Sequence, residues 1–254
     1  MENVVLSMSD ESAPAAKDAP VKTEPAASPT VSVARKSTLS DLAPKVQAAL
    51  DDALLTHDIG SGGIYDLEGM SGKRYRFFIN RLVRSLGNPR YLEVGSWRGS
   101  TLCSAIAGNR LTAVAIDNWS EFGGPKDDFQ KNVQKFTNLA AKVYFIESDF
   151  RKVAYSKFDH KFNIYLFDGP HEAQDQFDGL ALALQTLEDE FVFIVDDWNW
   201  ARVRAGTFAA IRKCGLGVTF AAEVRSTVDN TQPLVNGQDS DWHNGYFIAV
   251  LTKP

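Results

Sequence analysis

From Arg90 onward the chain alternates short apolar runs with longer amphipathic ones, and this alternation restricts its fold more than any other feature. The runs at 91–94, 111–116, 143–147, 162–167 and 191–195 are rich in branched and aromatic residues. Near-continuous apolar character suits strands covered on both faces, as in a parallel sheet. Helices are read at 100–107, 127–141, 173–187 and 201–213. The pattern predicts an α/β fold, a doubly wound Rossmann-like sheet. Its end differs: the runs at 218–224 and 246–251 follow one another with no helix between them, which predicts an antiparallel last strand pair. Their connection, 225–245, is long for a hairpin and is expected to be functional or mobile.

Two segments precede this domain of residues 90–254. Residues 1–36 are rich in Ala, Pro, Ser, Lys and Glu, with no aromatic residue and no apolar period. Such a stretch cannot bury enough surface to offset its chain entropy and is expected to be a disordered tail. Residues 37–89 form an N-terminal helical segment. Ser40-Asp41 precedes Leu42, Val46, Leu50 and Leu54 at near-helical spacing, and a second helix from Ser71 carries Phe77, Phe78, Ile79, Leu82 and Leu86. Asn88-Pro89 stops it.

The formal net charge is −5, which weighs against a nucleic-acid partner. The two cysteines, Cys103 and Cys214, lack zinc-ligand company and read as reduced thiols. No apolar run approaches the roughly 20 residues a bilayer requires, and the start is unlike a secretory signal. The expectation is a cytoplasmic protein without a membrane partner.

Ligands of open α/β sheets bind outside the carboxyl ends of the strands. There the chain reads Tyr91-Leu92-Glu93-Val94-Gly95-Ser96-Trp97-Arg98-Gly99-Ser100-Thr101. Gly95 permits a sharp turn, Gly99 permits close approach of a ligand, and the helix start at Ser100 offers unpaired N–H groups. The loop departs from the dinucleotide pattern G-x-G-x-x-G, because Trp97 takes the middle glycine's place and Ser100 the third's. Trp97 would crowd a pyrophosphate, and Glu93 would repel phosphate but suit a cationic ligand. Asp117 ends the next strand, where such folds set a carboxylate against ribose hydroxyls, with Asn118 and Trp119 after it. Asp149, between Ser148 and Phe150, has the chemistry to hold an adenine. Each acid taken alone also serves as a cap or turn residue.

With these residues the chain resembles the class I S-adenosylmethionine methyltransferases from about Ser71 onward. The resemblance implies a seven-stranded sheet with an antiparallel last pair. It also implies Glu93 by the methionine end of the cofactor, Asp117 at the ribose and Asp149 at the adenine. The expected cofactor-binding set is Glu93, Gly95, Ser96, Gly99, Ser100, Asp117, Asn118, Trp119, Ser148, Asp149, Phe150 and Asp168.

A closer similarity is to the metal-dependent sugar O-methyltransferases of the macrocin and aminocoumarin type. Their D-G-x-H and D-D strand ends correspond to Asp168-Gly169-Pro170-His171 and Asp196-Asp197. This implies that Asp168, Asp196 and Asp197 bind a divalent metal. Pro170 stands where several such enzymes carry an acid proposed as the base.

The physical case for a metal is separate. Neighbouring strands lie about 4.8 Å apart, so three carboxylates at adjacent strand ends repel one another. A hard cation relieves that repulsion, and oxygen-only ligation suits magnesium or calcium. The plainer reading is that one of the pair caps the following helix. His171 is the candidate base, with Asp197 as the alternative, and Trp119, Trp198 and Trp200 are candidate pocket walls. The expected function is metal-assisted methylation of a small-molecule or sugar hydroxyl, with a homo-oligomer left open. The competing readings are a non-catalytic cofactor-binding or scaffold protein and a nicotinamide-dependent oxidoreductase, the latter disfavoured by Trp97 and the paired terminal strands.

Overall fold

The structure, a computed structural model, describes residues 28–35, 40–60 and 62–254. Five strands form a parallel block: β2 (Arg90–Val94), β3 (Leu111–Asp117), β4 (Ala141–Glu147), β5 (Phe162–Phe167) and β6 (Leu187–Val195). β7 (Gly217–Arg225) and β8 (Tyr246–Thr252) extend it antiparallel, and β1 (Thr30–Arg35) pairs antiparallel with β7 at the edge. The order across the sheet is β1-β7-β8-β6-β5-β2-β3-β4.

The sheet therefore has eight strands where seven are expected, because β1 lies inside the stretch read as a tail. Thr30-Val31-Ser32-Val33 is a short β-branched alternation, and an edge strand gains its ladder from backbone groups that composition does not reveal. The rest of that stretch, 1–27 and 36, lies outside the described residues.

Alternate strand residues feed two cores. Ala113, Ala115, Ile164, Leu166, Ile248 and Val250 face one side, covered by α1 (Ala43–Leu55), α2 (Lys73–Ser85), α3 (Ser100–Ile106) and α4 (Lys126–Phe136). Leu92, Val114, Tyr165, Phe193 and Phe247 face the other, covered by α5 (Ala173–Ala183) and α6 (Ala201–Lys213). Between β4 and β5 there are only two single turns, Phe150–Lys152 and Tyr155–Lys157, and no helix. The outer part of β4 is left open, with Tyr144 56% exposed.

Several boundaries have local causes. Ser40 Oγ accepts from the Ala43 amide at 2.8 Å and opens α1. α4 ends at Phe136, short of the expected 141, because Asn138 turns the chain by donating to the carbonyls of Ile106 and Asn109. β6 begins at Leu187, four residues before the apolar run, since Glu188-Asp189-Glu190 disguises its start. Among the described residues no helix is long and apolar enough to cross a membrane.

Candidate active site

The carboxyl ends of the parallel strands surround a cavity of about 380 Å³. Gly95 begins its wall with φ +86, a left-handed conformation that glycine adopts without strain. A Cβ there would lie 1.7 Å from the Asp168 carbonyl oxygen, so the loops after β2 and β5 pass backbone against backbone. Asp117 locks the glycine loop: Oδ2 accepts from the amides of Ser96 (2.7 Å) and Trp97 (2.8 Å), and Oδ1 from that of Trp119 (2.6 Å). Beyond it, Asp149 Oδ1 caps the Phe150–Lys152 turn by accepting from the Arg151 amide at 2.9 Å. The Arg151 guanidinium lies over the Phe150 ring and pairs with Asp175 and Asp178.

The other end of the cavity is acidic. Asp196 and Asp197 are buried and Asp168 is half-buried. Burial, then the charges of Asp196, Asp197 and Glu93, push the Asp168 carboxyl well above the ordinary carboxylate range. Burial and the Asp197 charge do the same to Asp196. Asp197 goes the other way. Burial alone would raise it, but the bonds from His171 and Asn244 outweigh burial and hold it below the usual range. His171 Nε2 lies 2.6 Å from Asp197 Oδ2, and Asn244 Nδ2 donates to Asp197 Oδ1 at 2.6 Å. Asn199 Nδ2 donates to Asn244 Oδ1 at 2.9 Å, behind that pair.

Under the floor lies Glu93, whose Oε2 accepts from the Tyr91 hydroxyl at 2.5 Å. Burial pushes its carboxyl up to about 7 against that hydrogen bond. Glu93 Oε1, the hydroxyls of Tyr75 and Tyr246, and Trp242 Nε1 are buried with no protein partner.

Gly95, Asp117, Asn118, Trp119, Ser148, Asp149, Phe150, Asp168, His171, Asp196 and Asp197 all line the cavity. Glu93, Ser96, Gly99 and Ser100 do not. Ser96 reaches Asp117 through its amide, and Ser100 Oγ meets Ser71 Oγ at 2.8 Å. Gly99 serves packing rather than ligand approach, because a Cβ there would stand 2.9 Å from the Phe129 ring. Trp200 forms a wall, edge-on to His171, whereas Trp198 is core, stacked on Phe247 and donating Nε1 to Glu223.

The three carboxylates expected to bind a metal are divided between two convergent groups, each completed by a histidine. Among the described residues, the sets that converge within 4.8 Å are Asp168–His171–Asp197 and Asp196–Asp197–His243, each with an imidazole. Met70, Phe122, Arg151, Gln232 and His243 also line the cavity. Met70 and Gln232 come from remote loops and carried no local signal. Left-handed backbone clusters here: Trp97, Trp119, Phe122, Asp197 and His243, five of the six non-glycine residues with positive φ among the described residues, are all at the cavity.

Sheet order, antiparallel end strands and a ligand-sized cavity at the carboxyl edge together define a Rossmann-like methyltransferase fold. A family model for a methyltransferase domain matches residues 92–198. The O-methyltransferase TomG from Streptomyces achromogenes, involved in tomaymycin synthesis and solved with S-adenosylmethionine, is 14% identical. That match covers 80% of this chain and 89% of the other, with a TM-score of 0.51. An O-methyltransferase from Bacillus cereus solved with S-adenosylhomocysteine is 15% identical over 84% of this chain and 91% of the other, TM-score 0.47. TrmN from Thermus thermophilus is 15% identical over 70% of this chain, TM-score 0.47; the chain spans about half of that protein, 48%. At these identities the likeness is one of fold. No curated protein matches the sequence.

Proposed function

We propose that the chain transfers methyl from S-adenosylmethionine to a hydroxyl of a small molecule, with a divalent cation assisting. The observation that carries this reading is a single cavity with a nucleotide-like end at Asp117 and Asp149 and an acidic end at Asp168, His171, Asp196 and Asp197. Bound S-adenosylmethionine would supply an electrophilic methyl on a sulfonium. Asp117 already accepts three amides, and a carboxylate has about four acceptor sites, so one remains for a ribose hydroxyl. Ser148, Asp149 and Phe150 would meet the adenine, and Asp168 and buried Glu93, which burial keeps protonated in the cofactor-free chain, would ionise against a cationic methionine end.

His171 is the proposed base. With Nε2 against Asp197, its Nδ1 is left to take the acceptor's proton, and the resulting imidazolium gains from the ionised Asp197. Asn199 and Asn244 hold Asp197 in register. The residues fit a divalent cation: Asp168, Asp196 and Asp197 share one end of the cavity, burial and then neighbouring carboxylates drive Asp168 and Asp196 up, and buried polar atoms lie unpartnered nearby. Asp168, Asp196 and Asp197 would hold it, and a cation there would lower the acceptor hydroxyl's pKa and orient it. The mixed nitrogen and oxygen donors nearby suit manganese or zinc as well as magnesium.

Calorimetric titration of S-adenosylmethionine with and without magnesium tests the first claim, followed by a mass-spectrometric screen of sugar and phenol acceptors. Absence of cofactor binding under all conditions overturns the reading. Binding with no transfer to any acceptor favours a non-catalytic protein. Transfer that survives chelation and Asp196→Asn removes the metal alone.

A further inference from the structure

Asp196, Asp197 and His243 converge as closely as the set that contains His171, and so form a second candidate cation site. The chemistry of His243 excludes it. The ring is buried, 6% exposed, and it lines the cavity. The Gly237 amide donates to its Nδ1 at 2.8 Å. A backbone N–H can only donate, so Nδ1 presents its lone pair, and the neutral ring carries its proton on Nε2. The same bond excludes the doubly protonated ring, because Nδ1 cannot carry a proton and accept the amide at once.

The backbone builds this tautomer. Ser240 Oγ donates to the Gly237 carbonyl (2.7 Å) and accepts from the His243 amide (2.8 Å), which closes a tight turn around the ring. The carbonyls of Ser240 and Asp241 accept from the amides of Lys73 and Arg74 and clamp the turn to the start of α2. His243 itself has φ +46, a left-handed strain held in place by these bonds. The end of the long β7–β8 connection is thus anchored around one imidazole. Among the described residues, the hydrogen bond to the His243 ring is made at Nδ1, and none is made at Nε2. A metal needs a lone pair, and Nε2 would offer one only if the ring gave up the Gly237 amide or lost a second proton.

We propose that His243 binds the acceptor: its Nε2–H holds an oxygen next to the reacting hydroxyl, across Asp197 from His171. This rests on the O-methyltransfer reading of the cavity. The surrounding charge selects the kind of oxygen. Asp168, Asp196 and Asp197 line this end, and the cavity's arginine, Arg151, stands beside Phe150 and is paired with Asp175 and Asp178, so a neutral hydroxyl, ether or carbonyl is accepted while a carboxylate finds no free cation to pair with among the described residues. The acceptor class is a hydroxyl with a neutral oxygen on the neighbouring carbon.

The test is long-range ¹H–¹⁵N correlation on the full chain labelled at histidine rings, with His243 assigned by comparison with His243→Asn. That variant keeps an oxygen able to accept the Gly237 amide but lacks the distal donor, and it should melt within a few degrees of the native chain. We expect a protonated Nε2 and a bare Nδ1 at His243, a pattern that added zinc leaves unchanged. Catechol, added with S-adenosylhomocysteine, should shift the Nε2 proton while phenol does not, and His243→Asn should bind catechol about tenfold more weakly. A proton on Nδ1, loss of the Nε2 proton on adding zinc, or the same response to both phenols overturns the proposal. The tautomer and zinc arms need no cofactor. Failure of S-adenosylmethionine to bind, with the tautomer as expected, therefore counts against the methyltransferase reading and not against the donor.

Discussion

Asp197 accepts from His171 on one oxygen and from Asn244 on the other, so its substitution separates orientation from charge. Asp197→Asn keeps the shape but presents an amide where His171 needs an acceptor. Its expected effect is a loss in kcat of about 10³- to 10⁴-fold with little change in cofactor affinity, read by methyl-transfer assay and calorimetry. Glu93 gives a prediction in pH. Its folded carboxyl stands at about 7 against the ordinary 4.5, so the folded chain binds this proton more tightly than the unfolded one. The stability it contributes is present below pH 4.5 and is lost as pH rises through 7. Glu93→Gln should therefore stabilise the cofactor-free chain at pH 8 by up to about 3 kcal/mol and change little at pH 4, measured by urea unfolding.

At the scale of elements, the turn after β2 is the least tolerant place in the fold. Gly95→Ala would drive a methyl into the Asp168 carbonyl at a positive φ, and an expected cost of about 4 kcal/mol or more should leave little folded protein by circular dichroism. β1 is more forgiving. Deleting residues 1–35 exposes the β7 edge, with an expected loss of about 2 kcal/mol and a rise in light scattering. The two elements differ in legibility. The glycine turn, the five parallel strands and the acids at their ends stand in the sequence as local patterns. β1 does not, because its partner is nearly two hundred residues away and its bonds are backbone to backbone. The same holds for Met70 and Gln232, whereas His243 lies in the long 225–245 connection already expected to be functional or mobile. Their place in the cavity is set by loops that meet through contacts such as the Gly69 amide on Gln238, which leave no periodic trace.

Across the whole molecule, one row of side chains crosses the sheet in register: Tyr144, Val114, Leu92, Tyr165, Phe193 and Ala249. α5 and α6 cover its middle, and among the described residues nothing covers its β4 end. Two tyrosines in one row therefore have different worth. Tyr165→Ala removes a fully buried ring and should cost about 3–5 kcal/mol, whereas Tyr144→Ala should cost less than about 1 kcal/mol. Paired denaturation curves of the two variants check this asymmetry.

The strained positions around the cavity bear on how such a chain can change over time. At Trp97, Trp119 and Phe122 the backbone already has a conformation that glycine adopts freely. One substitution there relaxes the main chain while removing part of the pocket wall. Where packing is slight, as at exposed Phe122, drift toward a more robust but idle protein is downhill in folding, and only selection on ligand binding opposes it.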